Sequence, residues 1–120
     1  MGLRPSIAAE TRLVPEEPPW RCARCDTDVA DRGAERSVRG RPIVETFTNP
    51  HGLRFEVLTL GVVRNVTLVG PPTAEFSWFA GYAWSIASCT TCRAHLGWRF
   101  DAVDGGEPGQ FYGLIRTSLV

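Results

Sequence analysis

The sequence has little that would mark it for export, for a membrane or for a polyanion. No apolar run approaches the roughly 18 residues that a bilayer span needs. The opening MGLRPSIAAETRLVPEEPPW lacks the continuous apolar core of a secretory signal. The chain is therefore expected in the cytoplasm, with its four cysteines reduced and not paired as disulfides. Gly2 and Ser6 match a myristoylation pattern only loosely, and the plain reading is a flexible tail without lipid. Thirteen basic and thirteen acidic residues cancel, so the one-sign field of a nucleic-acid module or an anionic-membrane binder is absent. Catalytic groups are equally scarce. There is no Ser/His/Asp or paired-carboxylate constellation, and no cysteine outside two matched pairs. Nor is there a low-complexity tract, a repeat beyond those pairs, or a convincing helical period.

What is present is β-pattern. Pro5, Pro15, Pro18 and Pro19 with scattered charge make residues 1–19 a disordered tail, and Trp20 opens a single folded domain over 20–120. PIVETFT (42–48) is rich in β-branched residues, and NPHG (49–52) supplies a turn with proline inside and glycine at its close. LRFEVLTL (53–60) sets Leu53, Phe55, Val57 and Thr59 against Arg54, Glu56, Leu58 and Leu60. RNVTLVG (64–70) reads as a strand ended by Pro71 and Pro72. YAWSIASC (82–89), AHLGWRFDAV (94–103) and QFYGLIRTSLV (110–120) complete the set, with DGGEPG (104–109) as a turn and 26–40 as polar loop. Short strands and frequent turns predict an antiparallel all-β domain. A domain this small gains only marginal stability from burial, so a staple is expected.

Cys22-x-x-Cys25 and Cys89-x-x-Cys92 provide that staple. A two-residue gap folds the backbone into a knuckle whose two thiolates converge, and two knuckles complete the tetrahedral four-sulfur set that structural zinc prefers. The long separation ties distant parts of the chain to one ion. Redox and disulfide readings of Cys-x-x-Cys fail for want of a surrounding βαβ pattern. His95, three residues past Cys92, reads as a strand-start histidine, and His51 as a surface residue of the NPHG turn.

The aromatic residues crowd around the second knuckle, in FSWFAGYAWSIASCTTCRAHLGWRF (76–100). Trp98 and Phe100, two apart on one strand, share a face, with rings about 7 Å apart along the chain. Trp84 enters the knuckle on the preceding strand and is expected opposite Trp98. Trp78 lies on a loop that Gly81 lets bend across the other two. These rings fill a core or wall a hollow, and pattern alone does not decide between the two.

NPHG, EFSWFAGYAW, CTTCRAHLGWRF and FYGLIRTSL, in that order, together with both cysteine pairs, resemble the cereblon-type thalidomide-binding, or CULT, domain. The likeness runs from Cys22 to about Leu119. It implies a β-tent, two antiparallel sheets meeting at about a right angle and pinned by zinc. It also implies an open cage of Trp78, Trp84 and Trp98 for a cyclic imide ring, with Phe100 as its base and Asn49 and Pro50 at its rim. The Phe76–Ser77–Trp78 backbone would bond the imide edge through the Phe76 carbonyl and the Trp78 N–H. Uracil-like and hydantoin rings share that edge and should also enter. Phe76 stands where vertebrate relatives carry a histidine that donates a hydrogen bond; bacterial-type members share the phenylalanine. The Lon-like and helical parts that join the eukaryotic protein to a ubiquitin ligase have no counterpart here, so ubiquitin-ligase assembly is not expected.

The resemblance thus predicts a free-standing, bacterial-like, monomeric binding module and not an enzyme. Its ligand would be a small cyclic imide, free or at the C-terminus of a protein, with no nucleic-acid or membrane partner. Three rival functions remain. A cage of tryptophans also suits methylated ammonium, for which Glu75 is the nearest carboxylate. Zinc-bearing β-tent enzymes such as methionine sulfoxide reductases attack with a further cysteine, which is missing here. Base stacking on the tryptophans would have only a modest patch of Arg93, Arg99 and Arg116 to support it.

Overall fold

The computed structural model of the chain describes residues 17–120. Most of the tail expected to be disordered, residues 1–16, lies outside the described residues. Of its last three residues, Pro18 accepts a hydrogen bond from Arg32 Nε through its carbonyl at 2.9 Å.

The described chain is all-β. Strands β1 (Trp20–Arg21) and β2 (Asp28–Ala30) form a two-stranded ribbon. The other six strands are β3 (Val44–Thr48), β4 (Arg54–Leu60), β5 (Val66–Thr73), β6 (Tyr82–Cys89), β7 (His95–Ala102) and β8 (Gln110–Ile115). They form one antiparallel ladder in the order β3-β4-β8-β7-β6-β5. The two sheets and the antiparallel pairing agree with the sequence reading. Short 3-10 turns cover Arg32–Ala34 and Arg116–Ser118.

The central strands bury both faces, and alternation along β4 and β8, interrupted in β7 by a bulge between Leu96 and Trp98, decides which residue serves which. From β4, β7 and β8, Leu58, Leu60, Leu96 and Leu114 join Trp20, Val29 and the cysteines in one cluster. Val57, Trp98, Phe100, Phe111 and Ile115 project to the other side, into an aromatic cluster with Phe47, Phe79 and Tyr82. Thr59 lies buried among the leucines' strand neighbours because its hydroxyl donates to the Arg36 carbonyl at 2.6 Å, so no polar atom is stranded there. Two glycines let the layers close. A β-carbon on Gly97 would stand 2.1 Å from the Gly113 carbonyl oxygen, and one on Gly113 would meet Val57 Cγ1 at 2.8 Å and the Phe100 ring at 3.1 Å.

Two expectations need correction. The strand read as 64–70 does not stop at Pro71 and Pro72; β5 runs on to Thr73. It is the sheet's edge, where a missing N–H costs no ladder bond, and a bulge absorbs the prolines: the three residues between Val69 and Thr73 oppose the single residue between Ile86 and Trp84. The 26–40 region read as loop contains β2, whose Val29 and Ala30 are fully buried beneath Trp20.

The far end of the chain closes on the start of the domain. Arg21 and Val120 exchange N–H···O bonds at 3.0 and 2.8 Å, and the Ala23 N–H donates to Ser118 at 2.9 Å.

Candidate functional site

Two parts of the structure carry chemistry. One is the cysteine centre. The two knuckles are geometric copies. The Asp26 N–H bonds back to the Cys22 carbonyl at 2.7 Å, and the Arg93 N–H to the Cys89 carbonyl at 2.8 Å. Asp26 and Arg93 both take positive φ (69° and 66°). The Cys22 N–H donates to Thr27 and the Cys89 N–H to Ala94, both at 2.8 Å. Each turn therefore aims its pair of thiols at a common point.

The four sulfurs lie within 4.8 Å of one another, with Cys22–Cys92 at 3.7 Å and Cys25–Cys89 at 3.6 Å. Tetrahedral metal–sulfur bonds of about 2.3 Å require sulfur–sulfur edges of about 3.8 Å, so the set fits a metal ion. The Thr27 hydroxyl and backbone hold the Cys25 thiol down to about 6. Cys92 receives a lowering hydrogen bond from Ala94, but burial and the three neighbouring sulfurs push it up to about 11. Several thiolates cannot crowd together without a cation to share, which is what a bound metal supplies.

The second part is a hollow of about 530 Å3 open to solvent. The sequence expected rings either packed shut or standing around a gap, and a gap is there. Asn49 and Pro50 reach it from the β3–β4 turn, Phe76 and Trp78 from the loop before β6, Trp84 from β6, and Trp98 and Phe100 from β7. Trp78 and Trp98 stand nearly perpendicular, with centroids 4.9 Å apart and planes at 80°. The outer indoles are fixed by their own N–H groups. Trp78 Nε1 donates to the Thr48 carbonyl at 3.2 Å, and Trp84 Nε1 to the Glu75 carbonyl at 2.8 Å. With those donors used, both walls offer π faces.

Trp78 also stacks on Phe47 at 4.9 Å and 11°. Arg41 lies over Phe47 and Phe79 while its guanidinium grips Glu45 through two bonds of 2.8 and 2.9 Å. The Asn49 side-chain oxygen accepts from the His51 and Leu53 N–H groups at 3.0 and 2.9 Å, which closes the turn that carries Pro50. Phe76 adopts φ +57°, a conformation that a β-carbon disfavours, and is 72% exposed at the rim. Among the described residues, the Phe76 carbonyl and the Trp78 N–H make no hydrogen bond.

Two details differ from expectation. Trp84 faces Phe100 across the β6–β7 pair, and Ile86 is the residue opposite Trp98, so the two tryptophans are diagonal neighbours. Ser77 does not line the hollow; its hydroxyl donates to the Phe79 carbonyl at 3.0 Å and accepts from the Phe79 N–H, shaping the loop from behind.

The hollow also takes in His51, Phe55, Ile86 and His95, which sequence reasoning did not place there. Ile86 was within reach, two residues from Trp84 on one strand face. His95 was hidden by a bulge: Ala87 pairs with Gly97 but Ser88 with His95, and the extra residue swings His95 onto the face of Trp98. Its ring packs edge-on to Trp98 at 5.1 Å, and Nε2 donates to the Gly97 carbonyl at 3.0 Å.

One all-β domain thus carries both a metal-fitting set of four thiols and an open aromatic hollow. Comparison with known proteins gives the family. The chain is 40% identical over 101 residues to protein cereblon of Danio rerio, 40% over 100 residues to that of Xenopus tropicalis, and 32% over 110 residues to that of Drosophila pseudoobscura pseudoobscura. These matches cover 82%, 82% and 89% of this chain. They cover 23%, 22% and 18% of the relatives, so the chain spans about a fifth of the length of the curated proteins it matches. No family model matches the chain. The chain belongs to the cereblon-type (CULT) domain family. No helix among the described residues is long and apolar enough to cross a membrane.

Proposed function

We propose that this domain binds a small cyclic imide, or a uracil- or hydantoin-like ring with the same edge, inside the hollow, and that the four cysteines hold a structural zinc ion. The observation that carries the reading is the pairing of perpendicular indole walls with two unspent backbone groups on the adjoining loop. A ring sliding between Trp78, Trp84 and Trp98 loses apolar hydration. Its N–H would meet the Phe76 carbonyl and its ring oxygen the Trp78 N–H, both on a loop anchored by Trp84 and Ser77. Backbone groups held in place beforehand cost little ordering on binding. A site this small supports about micromolar affinity, near −8 kcal/mol.

Zinc is favoured because four thiols in a tetrahedral arrangement suit it and nothing nearby is built for redox change. In this reading zinc would supply no catalysis. It would fix the hairpin that carries Trp84 and Trp98. The methylammonium alternative is less well supported, since no carboxylate among the described residues lines the hollow, and Glu75 meets the cage through its backbone carbonyl, which accepts from Trp84. Binding without turnover also suits a cavity that, among the described residues, is lined by His51 and His95 and by no carboxylate, lysine or cysteine. A monomer acting apart from ubiquitin-ligase components, nucleic acid and membrane remains part of the proposal.

Isothermal titration of the zinc-loaded chain with glutarimide, hydantoin, uridine and a trimethyllysine peptide tests it. Heat from the first three and none from the peptide is expected. Binding of the peptide alone would replace the imide with a cation.

A further inference from the structure

The loop that carries Phe76 and Trp78 is held from outside the hollow by a segment that does not line it. Residues 37–41 form a tight turn. The Arg41 N–H donates to the Val38 carbonyl at 3.0 Å, and the Ser37 hydroxyl donates to the Arg41 carbonyl at 2.6 Å. Val38, 1% exposed, anchors this turn in the aromatic cluster. Arg39 and Gly40 both take positive φ, 53° and 74°. Glycine adopts that conformation freely, whereas an arginine there costs about 1–2 kcal/mol, which its side chain has to offset.

Both arginines reach the same loop. Arg39 donates through Nη1 to the Ala80 carbonyl and through Nε to the Glu107 carbonyl, both at 3.4 Å, with its guanidinium over Tyr82. Arg41 Nη1 donates to the Trp78 carbonyl at 3.5 Å, while the rest of its fork grips Glu45 and lies over Phe47 and Phe79. Each carbonyl bond is long. Two delocalised cations facing alternate carbonyls, with their flat faces against core rings, nonetheless hold the loop at several points together. The remaining acceptors are spent locally: Ala74 takes the Ser77 N–H, Glu75 the Trp84 indole, and Phe79 the Ser77 hydroxyl and the Tyr82 N–H. Between residues 74 and 80 the carbonyls left without a hydrogen bond, among the described residues, are those of Phe76 and Ser77.

Resting on the cage reading above, we propose that Arg39 and Arg41 are positioning residues of the binding site, a clamp that touches no ligand. They fix the 74–80 loop so that the Trp78 wall and the unspent Phe76 carbonyl are arranged before a ring arrives. Without the clamp the loop samples other arrangements, and apparent affinity falls in proportion to the fraction of molecules that remain competent. The loss then lies in association and not in dissociation, because the contacts of the bound ring are the same.

Stopped-flow tryptophan fluorescence with glutarimide on the full zinc-loaded chain tests this. Circular dichroism adds a second readout, since the Trp78 and Trp98 indoles, 4.9 Å apart at 80°, couple their transitions into a couplet. In Arg39→Met/Arg41→Met, affinity is expected about tenfold lower, with dissociation within about twofold of the parent. The free variant should show a weakened couplet that saturating glutarimide restores. Arg41→Lys keeps a charge and a donor for the Trp78 carbonyl but no fork, and should lose only about two- to threefold. A double variant with parental affinity and couplet overturns the clamp. So does a loss carried by dissociation alone, or a weakened couplet that glutarimide leaves unrestored, since the arginines would then shape the bound cage itself. If the double variant does not fold, Arg39→Met and Arg41→Met should each show the same pattern at about threefold, and parental values in both overturn it equally. If glutarimide does not bind the parent, the imide reading has failed, and the clamp stands or falls on the couplet of the free variants.

Discussion

Replacing Trp84 separates a binding wall from a core residue more cleanly than any other change in the cage. Trp98 is only 8% exposed and packs edge-on against Phe55, Trp78 and His95, so its truncation would cost about 3–5 kcal/mol of fold stability and blur any binding result. Trp84 is half-buried, belongs to none of those ring pairs, and spends its single polar atom on the Glu75 carbonyl. In Trp84→Ala that carbonyl is left beside water, which keeps the stability loss to about 1–2 kcal/mol. The binding loss has two sources. One indole face is removed, and stacking on a flat ring is worth about 1–3 kcal/mol by alanine truncation. The anchor of the 75–78 loop, which holds the Phe76 carbonyl and the Trp78 N–H, is removed as well. Together these predict affinity for glutarimide lowered at least about 30-fold, roughly 2 kcal/mol. Trp84→Phe tells the sources apart, because it keeps an aromatic face and loses the N–H. Calorimetry is the right assay, since the deleted indole is itself a fluorescence reporter. A Trp84→Ala protein with native circular dichroism and affinity within twofold of the parent would refute the cage.

Metal removal should act on the whole domain. Structural zinc contributes an apparent 10–16 kcal/mol in small peptides, about the size of a domain's entire stability, so chelator or Cys22→Ser is expected to abolish cooperative melting, read by calorimetry, and imide binding with it. Gly97→Ala should lower the urea midpoint severely or prevent folding, because its β-carbon would overlap the Gly113 carbonyl; Gly40→Ala meets no neighbouring atom and should cost only the strain of its φ of +74°, about 1–2 kcal/mol. Arg41 lowers the carboxyl of Glu45 below its ordinary range, so the pair stabilises the fold above the unfolded value near 4.3 and loses that contribution as pH falls through the lower folded value. Glu45→Gln should therefore reduce stability slightly at pH 7, by less than about 1 kcal/mol for a partly exposed pair and read as a small drop in melting temperature, and match the parent near pH 2.

The parts of this domain visible in sequence were those written in spacing. Two Cys-x-x-Cys pairs announced one four-thiol centre, and Trp98-x-Phe100 announced a shared strand face. What escaped was set by irregularity. A bulge beside Gly97 brought His95 into the hollow, another carried β5 through two prolines, and the three buried or half-buried residues of β2 were too short a run to stand out from polar loop. Phe55 was read correctly as facing the side of Val57, but its place in the cavity depends on the β3–β4 register with Phe47, which the turn geometry fixes and composition does not. Ser77 entered with Phe76 and Trp78 as part of the loop that the resemblance implies for the imide edge, and its side-chain bonds to Phe79 show that neighbours on a tight loop need not point the same way.

The pairing of Arg21 with Val120 and of Ala23 with Ser118 has a mechanical consequence. The strands entering and leaving the domain run antiparallel and side by side, so tension applied across them would peel the pairs apart in succession instead of shearing them together. Cys22 is the next residue in line, and the load would pass to the thiol knot before any of it reached the tryptophans. A tether pulled from both sides would slacken at this seam while the binding hollow stayed whole.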